Sequence, residues 1–124
     1  MTILAVDGCP GRLEALARCL REVFPEDEIK AFSDPGLAVQ HSFRAEVTAT
    51  FVGPCNRRLD SLAVVQGIQF FHPDARAFLI TDQDTPRRML DRAEISAYLP
   101  GPVTVGAIRT AVFQSPNDFE DIKV

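Results

Sequence analysis

The chain has 124 residues, 46% of them hydrophobic and 24% charged, which is the size and composition of one globular domain with a single core and no room for a second. Thirteen basic against seventeen acidic residues leave a net charge of −4, and Arg57, Arg58, Arg87 and Arg88 form isolated pairs rather than a basic face, so direct nucleic-acid binding is not expected. Apolar runs such as Ile3 to Val6 and Leu62 to Val65 fall far short of the roughly 20 residues of a membrane span. The first residues carry neither the basic segment nor the long apolar stretch of a secretory signal, so a cytoplasmic protein is expected.

Apolar runs and amphipathic segments alternate along the chain. Ile3 to Val6 reads as a short apolar strand, broken by Cys9-Pro10-Gly11. Leu13, Leu16, Ala17, Leu20, Val23 and Phe24 follow at spacings of three and four, the stripe of a helix facing a sheet. Pro25 to Asp27 closes that helix, and Glu28 to Phe32 is a second strand. Asp34 stands before Pro35 as a capping residue ahead of a proline at the first helical position, opening a short helix to about Phe43. Val47 to Val52 is the third strand. Asp60 or Ser61 caps a helix that turns Leu62, Val65 and Ile68 inward and stops at Pro73. Ala77 to Thr81 is the fourth strand, Asp84-Thr85-Pro86 opens a helix from Arg87 to Ala93, and Ser96 to Leu99 is the last strand. Pro100-Gly101-Pro102 makes a turn, and Thr104 caps a final helix through Phe113. Residues 1–114 form the domain, and the polar, acidic stretch from Ser115 to Val124 is expected to be a frayed tail.

Five strand–helix units with mostly apolar strands imply a parallel sheet covered on both faces. The expected class is a flavodoxin-like (βα)5 doubly wound sheet with strand order 2-1-3-4-5. In such sheets the functional crevice lies at the carboxyl ends of the strands, which directs attention to Asp7 to Cys9, Thr50 to Cys55, Thr81 to Asp84 and Leu99 to Pro102. Three cysteines, Cys9, Cys19 and Cys55, lack any C-x-x-C spacing and suggest neither a disulfide framework nor a zinc site. His41 and His72 are single and distant in sequence, which favours packing over catalysis.

"ILAVDG" followed by a helix, "AFLITD" at the fourth strand and "SAYLPGPVT" before the last helix together resemble the receiver domain of bacterial response regulators over residues 2 to 113. The first half is similar to stand-alone or LytTR-coupled receivers. The resemblance implies a first strand ending in two acids that hold Mg²⁺ and a third ending in a phosphoacceptor aspartate. It also implies a Thr or Ser switch residue on the fourth strand, and on the fifth an aromatic switch followed by a lysine and a proline.

Matched residue by residue, Asp7 fills the first acid position and Gly8 the second. Thr81 matches the switch hydroxyl, Tyr98 the switch aromatic, Pro102 the proline, and Gly101 stands where the lysine belongs. The phosphoacceptor position falls on Phe51, Val52 or Gly53, none of them acidic. Phosphoryl transfer needs a carboxylate nucleophile, a metal and a cation that stabilises the product; here the nucleophile, one metal ligand and the lysine are missing. Asp82 and Asp84 are the candidates for replacing a metal-binding carboxylate, and Asp7 alone reads as an acceptor for backbone amides at the first helix.

The sequence therefore points to a pseudo-receiver without enzymatic activity, cofactor or metal, acting in signal transduction through protein contacts. Two other readings stay open: an atypical receiver that is still phosphorylated, and a flavodoxin-like module binding a small ligand in the neutral crevice. By resemblance, the partner or homodimer face is built from the fourth helix, fifth strand and fifth helix, residues 85 to 114. Arg87, Arg88, Arg92 and Arg109 give that face a basic rim that suits an acidic partner, or pairing with Asp91 and Glu94 across a two-fold axis.

Overall fold

The computed structural model describes residues 1–54, 61–81, 95–101 and 103–113. Its first strand, β1 (Thr2–Val6), is buried at every position, because it has a strand on each side and helices over both faces. The sheet runs β2 (Glu28–Phe32), β1, β3 (Val47–Val52), β4 (Arg76–Thr81), β5 (Ala97–Pro100), and every neighbouring pair is parallel. This is the expected 2-1-3-4-5 order of the flavodoxin-like class. β5 begins one residue later than the Ser96 read from the sequence, and β4 one residue earlier than Ala77.

Strand alternation divides the apolar side chains between two cores. On one face, Ile3, Ala5, Phe51, Phe78 and Leu99 meet Leu13, Leu16 and Leu20 of α1 (Pro10–Val23) and Ile108 of α4 (Val105–Phe113). On the other, Leu4, Val6, Val52 and Leu79 meet Ala38 of α2 (Pro35–Ser42) and Val64, Val65 and Ile68 of α3 (Ser61–Phe71). The first core is anchored by Phe51 stacked on Phe78 at 4.5 Å between ring centroids. In the second layer α3 comes close to α2 at Gly67, where a Cβ would stand 3.2 Å from Val39 Cγ1.

Local chemistry sets most helix ends. Asp34 accepts a hydrogen bond from the Gly36 amide at 2.9 Å, with Pro35 starting α2, and Thr104 Oγ1 accepts from the Ala107 amide at 3.1 Å at the start of α4. Both are caps legible in the sequence. Cys9-Pro10-Gly11 is different: instead of separating strand from helix, it begins the helix, with Pro10 in its first turn. Proline suits that place because its fixed φ is helical and its missing N–H would have no partner there. Of the two residues expected to cap the third helix, Asp60 lies outside the described residues, and Ser61 is the first residue of α3, its hydroxyl donating to the Gly53 carbonyl at 2.8 Å. The helix expected from Arg87 to Ala93 and the tail from Ser115 to Val124 lie outside the described residues.

The C-terminal end of α4 is tied to the sheet by Arg76. Its Nη2 donates to the Val112 carbonyl at 2.7 Å, and its guanidinium carbon lies 5.0 Å from the centre of the Phe78 ring. Arg76→Ala removes a charge-assisted hydrogen bond and a cation–π contact, and is expected to destabilise the fold by about 1–3 kcal/mol. A lowered urea midpoint at unchanged slope would show it.

Candidate functional site

Val6 on β1 pairs with Val52 on β3, so the next residues, Asp7 and Gly53, leave the sheet side by side at its carboxyl edge. The ladder continues past the strands: Gly53 N donates to the Val6 carbonyl at 2.7 Å, and Gly8 N to the Pro54 carbonyl at 2.9 Å. This holds the two loops against each other. The Asp7 side chain is buried between them, only 3% exposed.

A buried carboxylate has to be matched by donors, and Asp7 is. Its Oδ1 accepts from the Cys9 amide at 2.8 Å and from Arg12 Nη2 at 3.1 Å, and its Oδ2 accepts from Arg12 Nε at 3.2 Å. The guanidinium thus grips the carboxylate with two donors, the strongest neutralising geometry a side chain offers. It reaches in from the first turn of α1 and is itself 56% exposed. Gly53 closes the other side, since a Cβ there would stand 2.4 Å from Asp7 Oδ2 and 3.0 Å from Cγ. Glycine is required at 53 by this close approach.

Among the residues singled out from the sequence, Asp7, Gly8 and Gly53 therefore come together. Phe51 and Val52 do not. Phe51 is fully buried in the core under α1 and α4, and Val52 in the core under α2 and α3. Tyr98 packs partly buried against the second core, and Gly101 is exposed just after β5. Thr81 ends β4 beside Pro100, with its side chain outside the described atoms. Pro102, Asp82, Asp84, Cys55, Arg87, Arg88, Asp91, Arg92 and Glu94 lie outside the described residues, and Arg109 is exposed on α4. His41 lies against the Phe32 ring, and a His72 ring nitrogen contacts the Ser42 carbonyl.

The hydrogen bond donated by a backbone amide at the helix start to Asp7 is legible in the sequence, whereas the role of Arg12 is not. The available signal was an acid closing an apolar strand with an arginine five residues on, in the first turn of the next helix. Among the described residues, those around Asp7 offer a divalent cation no free ligand, and Asp82 and Asp84 lie outside the described residues. Gly8 and Gly53 carry no ligand atoms on their side chains, and Arg12 holds both Asp7 oxygens. Among the described residues no group of three or more His, Cys, Asp or Glu converges on one point. No described helix is long and apolar enough to cross a membrane.

No family model matches the chain, and no curated protein matches it. Solved structures do. A signal receiver domain of an HD domain-containing protein from Pseudomonas fluorescens superposes with a TM-score of 0.79 at 20% identity, over 97% of each chain. A response regulator receiver domain from Clostridium thermocellum gives 0.72 at 17% identity, over 98% of each. The receiver domain of a sensor histidine kinase from Pseudomonas aeruginosa, which holds a magnesium ion in its active-site cleft, gives 0.77 at 17% identity, over 92% of this chain and 95% of that one. The chain has the fold of these receiver domains.

Two predictions follow from the packing around Asp7. Gly53→Ala drives a methyl into the carboxylate and is expected to destabilise by about 1–3 kcal/mol. Asp7→Ala in the same chain should relieve that clash, because the Asp7 Cβ is 3.5 Å away, an ordinary contact. A double-mutant cycle in urea, with coupling of the relieving sign, checks this. Cys9, at the start of α1, has its thiol pulled below the ordinary value by the backbone N–H groups of Arg12 and Gly11, then by the Arg12 charge; burial and Asp7 oppose the shift. Iodoacetamide near neutral pH should therefore alkylate Cys9 faster than Cys19, and urea should abolish the difference.

Proposed function

We propose that the chain is a receiver-like module that transmits signals by protein contact without accepting a phosphoryl group. The observation that carries this reading is the Asp7 site. In the register of β1 and β3, Gly53 is the residue beside Asp7, and we assign to it the position where the receivers it resembles carry the phosphoacceptor aspartate. Asp7 and Gly8 take the places of the metal-binding acids, and Gly101 that of the lysine.

Glycine offers no nucleophile, and the one remaining carboxylate is neutralised by Arg12 from within the chain. A magnesium ion entering here would have to displace a bidentate guanidinium.

Function on this reading belongs to the surface. The face assigned by resemblance is residues 85 to 114, with Thr81 and Tyr98 as remnants of the switch and Arg87, Arg88, Asp91, Arg92 and Arg109 as its charged groups. It would meet a protein partner or a second copy of the chain. A non-enzymatic, cytoplasmic role in a two-component pathway accords with this assignment.

Acetyl phosphate with magnesium should add no mass to the intact protein, whereas a phosphoryl adduct on any aspartate would overturn the reading. Magnesium at millimolar concentration should move the melting temperature by less than about 1 °C, because stabilisation requires a concentration well above the dissociation constant.

A further inference from the structure

The side of the molecule bounded by α2 and the C-terminal end of α3 carries an apolar surface that the Asp7 site does not use. Phe70 is 80% exposed, Phe43 55%, Leu37 51% and Phe71 48%. The three rings are continuous: Phe43 lies 4.3 Å from Phe71, and Phe71 lies 5.0 Å from Phe70, measured between centroids. Phe43 also forms a wall of an open groove of about 480 Å³, lined by Phe32, Leu37, Gln40, His41, Phe43 and Arg44. Aromatic side chains exposed singly are ordinary, but an aromatic ridge running into a groove is the usual mark of an interaction site.

Charge selects the occupant. The four exposed side chains present roughly 350–450 Å² of mainly apolar surface. The groove's charge is the reverse of the molecule's. Its polar lining is Gln40, His41 and Arg44, with no acid among them, on a chain of net charge −4.

We infer that the groove along α2, extended by the ridge of Phe43, Phe71 and Phe70, docks an acidic peptide segment of a partner protein through aromatic or leucine anchors. The anchors occupy the groove beside Phe32 and Leu37, and neighbouring carboxylates face Arg44 and the His41 ring. The inference does not depend on whether the Asp7 site accepts phosphate.

The test is fluorescence anisotropy with the full chain and a labelled peptide, Glu-Asp-Phe-Glu-Glu-Leu-Phe-Asp-Glu-Leu, against the same peptide with every acid replaced by lysine. Saturable binding of the acidic peptide alone is expected, weakening as salt rises. Arg44→Glu should weaken it by about tenfold or more, while Arg44→Lys stays within about threefold. Phe43→Ser should also weaken it, with unchanged circular dichroism showing that the fold is intact. Equal binding of both peptides, or no binding, would overturn the inference. So would self-association in sedimentation equilibrium that Phe70→Ser abolishes, since the ridge would then belong to a second copy.

Discussion

A negative charge buried at the end of the central strand has to be neutralised by groups of the same chain, and the loops around Asp7 are arranged to do so. The Cys9 amide and the Arg12 guanidinium supply the donors. Pro10 starts the helix soon enough for Arg12 to lie in its first turn, and Gly53 lets the β3 loop close against the carboxylate. Burying an unpaired carboxylate is prohibitive, and a pair with two aligned hydrogen bonds is tolerated. The geometry of one ion pair thus ties together the ends of β1 and β3 and the start of α1.

The rest of the sheet makes that placement firm. β1 lies between β2 and β3, so its end cannot shift without disturbing two ladders. Phe51 and Val52, just before Gly53, point into opposite cores and are fully buried. A slip of one residue would exchange those cores, placing a phenylalanine where a valine fits, and for this reason register is strongly specified in a sheet covered on both sides. Glycine at 53 sits beside Asp7 because the two residues before it are held by packing.

The same tight packing explains why the two ends of the molecule differ in character. At the carboxyl edge of the sheet, Asp7 is hidden and its two oxygens are paired with Cys9 and Arg12. Along α2 and at the end of α3, Phe43, Phe70 and Phe71 remain exposed, even though α2 and α3 approach closely at Gly67 and Val39. Their ring contacts shield one another without reaching the core. Apolar area left in water at that end contributes little to stability, which makes it available for association.

Much of the architecture was legible in the chain. Apolar strand runs alternating with stripes at spacings of three and four pointed to a parallel sheet covered on both faces, and Asp34 and Thr104 marked helix starts because a side-chain oxygen ahead of free amides acts locally. That positions 8, 51, 52 and 53 carry no acid and position 101 no lysine is likewise a matter of sequence. What only the tertiary structure decided is which of Phe51, Val52 and Gly53 stands beside Asp7, that Arg12 holds the carboxylate, and that three phenylalanines from two helices join into one ridge. Each of these depends on the register between strands or on how two helices lie against the sheet, and side chains far apart along the chain become neighbours only when that packing is set.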